Sequence, residues 1–260
     1  MTDLIIQGIN GRMGHTLVEK ISARSDCRIV AGVDQKAGQI GDIPVYASLE
    51  DLPEAKGIVI DFTSPAGTVH AAQFCAAHGM PCVLCSTGLS KEDEAVVEQA
   101  SEKVPVFRSA NMSVGINVLI ELARRATKLF DGEFDIEIVE KHHHNKLDAP
   151  SGTAITLAEG ILEKIDRKDK WVKGTFLAPD GTISGTNDCA PNELPISSIR
   201  EGEVFGLHTI RYESDVDTIS ITHDAKSRGG FVLGAVLAAE YTATHEGFLG
   251  MSDLFPFLND

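Results

Sequence analysis

The first junction between a strand-like and a helical pattern constrains this chain more than any other feature. Residues 4–14 read Leu-Ile-Ile-Gln-Gly-Ile-Asn-Gly-Arg-Met-Gly, an apolar run that turns through three glycines into a helical pattern over Arg12–Arg24. Glycines there allow a tight turn and let a helix start close against the strand it has left. The helix N-terminus then presents unpaired N–H groups and a positive dipole end, a setting suited to phosphate. The glycines run G-x-x-G-x-x-G, with Asn10 where the common dinucleotide pattern has its middle glycine. Asp34 stands twenty residues past Gly14, at the end of a second strand-like run, Cys27–Val33. An acid at that point accepts from the ribose hydroxyls of an adenine dinucleotide and repels a 2′-phosphate, which favours NADH over NADPH. Arg12 and Lys36 leave room for either.

The alternation continues downstream. Strand-like Gly57–Phe62, Pro81–Cys85 and Val104–Phe107 are separated by helical Ala66–His78 and a helix from about Lys91 to Lys103. Ser90 reads as the N-cap of that last helix, with Asp93 three residues on. The order predicts an α/β fold with a Rossmann-type, doubly wound parallel sheet. The strands run out into Thr63-Ser64-Pro65, Ser86-Thr87-Gly88 and Ser109-Ala110-Asn111. Open α/β sheets bind ligands at those carboxyl ends, where small residues let a cofactor approach the backbone. Cys82 and Cys85 flank Val83 and Leu84 in one of the strands, so their thiols are expected on opposite faces and no zinc or redox pairing is expected.

The pattern changes after Asn111. A helix over Val114–Phe130, an alternating strand over Phe134–Glu140 and a helix from about Thr153 to Lys164 precede strand-like Ile196–Arg200, Phe205–Tyr212 and Thr218–Thr222. This reads as a second, α+β domain with a mixed or antiparallel sheet, and Lys168–Pro195 as a polar excursion from it. Phe231–Tyr241 is again a helix and returns to the first domain. The expected division is residues 1–113 with 228–260, the dinucleotide-binding part, and residues 114–227, the substrate-binding part.

A formal net charge of −15 argues against nucleic acid and anionic membranes as partners. No apolar run approaches the ~20 residues that span a bilayer. Met-Thr-Asp leads straight into a strand without signal-peptide features, and five cysteines lack framework spacing. A soluble cytoplasmic protein is expected. Against this acidic background, Lys141, His142, His143, His144 and Lys146 place five cationic or titratable side chains in six positions. Pro150 and then Ser151-Gly152-Thr153 follow, at the start of a helix. Imidazoles, an ammonium group and a helix N-terminus suit a small anionic substrate that must receive a proton. With the upstream glycines they point to a cofactor-dependent reductase.

Gly8–Gly14, Ser86-Thr87-Gly88, the run Ser109–Asn117 and Glu140–Thr153 together resemble the dihydrodipicolinate reductase family, along essentially the whole chain. The resemblance implies NADH or NADPH as cofactor, held by Gly8, Ile9, Asn10, Gly11, Arg12, Met13, Asp34, Cys85, Ser86, Thr87, Ser109, Ala110, Asn111 and Met112. It implies His142 and Lys146 as catalytic residues, and His143, Gly152 and Thr153 as contacts to a small dicarboxylate. In that family's reaction hydride reaches ring carbon C4 of a cyclic enimine and a proton must arrive at C3. The resemblance also implies a homotetramer joined through the second domain's sheet; from the residues themselves no metal is expected. Two positions depart from the family pattern: Cys85, where many members carry glycine, and Gln35, where others carry arginine after the ribose-binding acid.

Other readings follow from the same residues. The three histidines could form a solvated loop or a metal site, although Pro-Ser-Gly-Thr downstream argues for a binding loop. A two-domain dehydrogenase that forms a thioester would need Cys85 as an activated nucleophile. A non-catalytic NADH-binding sensor would need no proton donor. Ser151 is open between helix N-cap and direct substrate contact.

Overall fold

The computed structural model describes residues 1–130, 132 and 134–256. The chain divides into two units, Met1–Val114 with Arg228–Asp260, and Gly115–Ser227. In the first unit β1 (Thr2–Gln7) carries Leu4, Ile5 and Ile6 in a row, each at most 1% exposed. Leu4 and Ile6 pack with Leu17, Ile21, Val232 and Val236 on one face, and Ile5 with Ala71, Phe74 and Val97 on the other. A strand buried on both faces must be apolar without alternation, which is what β1 shows.

The chain continues through α1 (Arg12–Ile21), β2 (Cys27–Val33), β3 (Gly38–Ile40), β4 (Ile43–Tyr46), β5 (Ile58–Asp61), α2 (Pro65–His78), β6 (Cys82–Leu84), α3 (Lys91–Ala100) and β7 (Val106–Arg108). Ser90 caps α3 in a reciprocal box, its Oγ accepting from Asp93 N at 3.1 Å while Asp93 accepts from Ser90 N at 3.1 Å. Cys82 and Cys85 lie in cores on opposite faces of the sheet. The hairpin β3–β4 was not anticipated, because its two strands are too short to show a pattern.

In the second unit α4 (Val114–Phe130) turns Ile116, Leu119, Ala123 and Thr127 inward at helical spacing. It is followed by β8 (Asp135–His142), α5 (Gly152–Leu162), β9 (Lys170–Leu177), β10 (Ile183–Ser184), β11 (Glu193–Arg200), β12 (Leu207–Glu213) and β13 (Thr218–Asp224). The segment expected as an excursion thus contains β9, which pairs parallel with β11. The strand expected to end at Glu140 runs on to His142. The sheet order is β10-β9-β11-β8-β12-β13, with parallel and antiparallel pairs, hence mixed. The chain then returns through α6 (Gly229–Thr242), β14 (Phe248–Leu249) and α7 (Met251–Leu254). This completes an eight-stranded first sheet, β14-β7-β6-β5-β1-β2-β4-β3, parallel except for the β3–β4 pair. Among the described residues no helix is long and apolar enough to cross a membrane.

Cross-strand register decides what the covered face of the second sheet can be. One row reads Ile196, Ile138, Ile210 and Ile221 across β11, β8, β12 and β13. Two residues further along β8 the row reads Ser198, Glu140, His208 and His223. Side chains at i and i+2 share a face, so an apolar core gives way within two residues to a row of polar groups, of which Ser198, Glu140 and His208 are buried. Ile138, at the centre of the apolar row, is 0% exposed. Ile138→Ala should cost about 2–5 kcal/mol through lost burial and a residual cavity. Trp171, the one tryptophan of the sequence and a residue of β9, reports the loss in urea denaturation.

Candidate active site

In the first unit the glycine turn forms as the spacing requires. Gly8 has a positive φ of 83°, and a Cβ at Gly14 would lie 2.3 Å from the Ile9 carbonyl oxygen. The N-terminus of α1 is thereby packed onto the end of β1 with nothing larger than hydrogen between them. Asp34 sits beside the turn, where Asn10 N donates to its Oδ2 at 2.9 Å and Gln35 N to its Oδ1 at 2.8 Å. The loops after β5, β6 and β7 line a cavity of about 280 Å³ with Phe62, Thr63, Cys85, Ser86, Thr87, Ala110 and Met112, joined by Met13, Arg228 and Phe231. Ser109 and Asn111 shape the last of these loops, with Ser109 Oγ donating to the Asn111 carbonyl at 2.9 Å.

Asp61 ties these loops together. It is 0% exposed at the end of β5, and it accepts from Thr63, Thr68 and Ser86 hydroxyls. Burial pushes its carboxyl above the usual range, and those hydrogen bonds oppose the rise. Cys85 lies next to it, and burial followed by the Asp61 charge pushes the thiol well above its ordinary value. A thioester-forming nucleophile needs the reverse.

In the second unit His142 ends β8 with 8% exposure. Its Nδ1 is hydrogen-bonded to Glu140. Arg200 of β11, 2% exposed, donates to the other Glu140 oxygen at 2.8 Å. The same guanidinium donates from Nε to the Lys146 carbonyl at 3.2 Å and from Nη2 to that of Asp148. Lys146 itself pairs with Asp148 at 2.8 Å and is half-buried. His208 of β12 stacks edge-on to His142, ring centroids 5.1 Å apart. It hydrogen-bonds through Nε2 to Ser151 Oγ at 3.1 Å. Ser151 is the N-cap of α5, accepting from Ala154 N at 3.2 Å, so the histidine row and the helix start that carries Gly152 and Thr153 are directly joined. Outside its chain neighbours and its own helix, no atom lies within 4 Å of where a Cβ at Gly152 would stand.

Charges follow from burial and partners. Burial alone would raise the Glu140 carboxyl, but hydrogen bonds from His142, Arg200 and Ser198 outweigh it and hold the group at about 2. His208 is pushed down to about 3 by burial and then by the neighbouring His142. Burial and the His142 charge also lower His143, which favours a neutral N–H donor there. Glu140, His142 and His208 place donor atoms within 4.8 Å of one another. Arg200, however, already fills the cationic place beside the carboxylate.

Of the residues singled out in the sequence, Gly8 to Met13, Asp34, Cys85 to Thr87 and Ser109 to Met112 all fall on the carboxyl edge of the first sheet. His142, His143, Lys146, Gly152 and Thr153 gather between the end of β8 and the start of α5. His144 faces the turn after β11, its Nδ1 bonded to the Gly202 carbonyl at 2.9 Å, and Lys141 pairs with Glu201. Sequence reasoning missed Asp61, Glu140, Arg200 and His208. A signal existed for Glu140, an acidic residue two positions before His142 and so on the same face of a strand.

Comparison with known proteins covers both units. The family described as dihydrodipicolinate reductase, N-terminus, matches residues 2–112, and that described as its C-terminus matches residues 115–255. The chain is 40% identical over 255 residues to 4-hydroxy-tetrahydrodipicolinate reductase of Caldanaerobacter subterraneus subsp. tengcongensis, covering 98% of each. It is 38% identical to the protein of the same name from Clostridium botulinum, covering 93% of this chain and 92% of that one. A dipicolinate-bound dihydrodipicolinate reductase from Paenisporosarcina sp. TG-14 shares the fold, with TM-score 0.81, 23% identity and coverage of 98% and 99%.

His208 gives stability a pH dependence of definite sign. An unfolded imidazole titrates at about 6.5, whereas folded His208 titrates at about 3. Protonation therefore opposes folding. The contribution is complete above pH ~6.5 and is lost, at about 1.4 kcal/mol per pH unit, as pH falls toward the folded value. The urea midpoint should drop on acidification from pH ~6.5, and His208→Gln should make the drop shallower. Equal slopes would mean that other groups set it.

Proposed function

The chain belongs to the dihydrodipicolinate reductase family, and from that membership we propose how its own residues divide the family's work. The activity is NAD(P)H-dependent reduction of 4-hydroxy-tetrahydrodipicolinate, by way of dihydrodipicolinate, to tetrahydrodipicolinate in lysine and diaminopimelate biosynthesis. The observation that carries the division of labour is the join of His142, through His208 and Ser151, to the N-terminus of α5. It supports reading the imidazole as a proton donor that works beside an anion-binding helix end.

The glycine turn fits a dinucleotide, because hydrogen at Gly8 and Gly14 lets α1 start close against the end of β1 and the acid Asp34 stands beside the turn. When bound there, the cofactor supplies the hydride. Gly8 to Met13 would hold the pyrophosphate at the start of α1, beside a cavity lined by Cys85 to Thr87, Ala110 and Met112, with Ser109 and Asn111 shaping its last loop. Asp34 would accept from the ribose hydroxyls, which would give NADH a modest advantage.

The chain's other task concerns a proton and two carboxylates. His142 delivers the proton at C3. Lys146, held by Asp148 and by the Arg200-anchored loop, stabilises the negative charge that develops on the ring. His143 and the backbone N–H groups of Gly152 and Thr153 bind a carboxylate at the helix end. The resemblance further implies a homotetramer. The face of the second sheet opposite α4 and α5, with Glu137, Val139, Thr209 and Arg211 only partly covered, is the surface that arrangement would use.

The test is oxidation of NADH and NADPH at 340 nm, with substrate formed in place from pyruvate and aspartate semialdehyde by the partner synthase. Absorbance should fall only when synthase and both precursors are present. His142→Gln and Lys146→Met should each lower kcat by about 10² or more while NADH binding persists. Near-normal turnover in either removes that residue's role. Asp34→Ser should shift the ratio of kcat/KM values toward NADPH by about tenfold or more, since a like charge no longer faces the 2′-phosphate.

A further inference from the structure

A histidine that must present one particular nitrogen to a reactant needs something to fix its tautomer. On the covered face of the second sheet that something is Glu140. Its carboxylate is 0% exposed, and its two oxygens are committed, one to His142 Nδ1 and one to Arg200 at 2.8 Å. Since a guanidinium has no acceptor, Arg200 requires oxygen from its partner, and the carboxylate has a second oxygen left to accept from Nδ1–H. The ring's Nε2 then points away from Glu140 toward Gly206, where a Cβ would stand 3.1 Å from it. Gly206 thus packs close to that nitrogen, where a larger residue would crowd it. Arg200 is itself anchored to the carbonyls of Ile199, Lys146 and Asp148, so the pair also holds the loop that carries Lys146.

We propose that Glu140 is a positioning residue of this site: backed by Arg200, it holds His142 with the proton on Nδ1, so that Nε2 is the nitrogen that meets the substrate. The inference rests on the reading of His142 as proton donor. It adds a residue that touches neither substrate nor cofactor and acts through the imidazole it orients.

The informative variant is Glu140→Gln. Glutamine keeps the shape but has a single acceptor oxygen, which the always-charged Arg200 claims. Its NH₂ then faces Nδ1 and moves the imidazole proton to Nε2. The expected result is a kcat about 10–100-fold lower, the usual cost of losing a group that orients a functional imidazole, with substrate KM little changed. Arg200, His208, His143 and Lys146 are the other titratable or charged groups around the ring, and all are unchanged in this variant.

A measurement on the unmodified protein covers the case in which the variant does not fold. In ¹⁵N-histidine NMR, with His142 assigned by its loss in His142→Gln, the neutral ring should carry its proton on Nδ1. A proton on Nε2, or a folded Glu140→Gln with unchanged kcat beside an impaired His142→Gln, overturns the role of Glu140. Full turnover in His142→Gln overturns instead the proton-donor reading beneath it, and this inference with it.

Discussion

A carboxylate buried at the end of a central strand must find donors, and in each unit of this chain the loops of the site are arranged around one that does. Asp61 ends β5 in the first unit and gathers Thr63 and Ser86 from two loops and Thr68 from the first turn of α2. Glu140 lies near the end of β8 in the second and gathers His142, Arg200 and Ser198. Unpaired, either charge would be expelled from the interior or neutralised. Fully paired, each becomes a fixed point for loops that have little apolar surface of their own to anchor them.

The glycine turn, Asp34 beside it and the helix over Val114–Phe130 were legible because their signals are local: positions three, four or twenty residues apart along one chain. Ser90 and Asp93 belong to the same class, since a capping box closes within a single turn. Strand β9 was hidden because its residues are half-exposed and its partner β11 lies beyond a polar stretch. The Glu140–Arg200 pair joins positions 60 residues apart, and His208 meets Ser151 across 57. Nothing in the local pattern of either segment announces such a contact. The His-rich run drew attention by composition, yet only His142 of its three histidines is buried.

The chemistry of the second unit also depends on what is kept uncharged. A net charge of −15 opposes an anionic reactant at a distance, so cationic groups near the site matter. A cluster in which every imidazole was protonated would repel itself and strain the fold. The burial of His208, which sits against His142 without competing for a proton, resolves this conflict. It contributes shape and a hydrogen bond to Ser151, and leaves charge to the residues nearer solvent.

The buried ion pair itself argues for a role other than stability. Desolvating two ions costs several kcal/mol each, and well-packed apolar residues in such a place often serve stability as well or better. The apolar row one step back along β8 shows that this sheet readily supplies them, with isoleucine on four neighbouring strands. The change from isoleucine to Ser, Glu and His occurs where β8 approaches α5 and the Lys146 loop. An apolar row there would still fold, but it would leave the His142 ring free to rotate and the Lys146 and Asp148 carbonyls without their guanidinium. The pair is therefore better explained by the geometry it imposes on two neighbouring side chains than by any net contribution to folding.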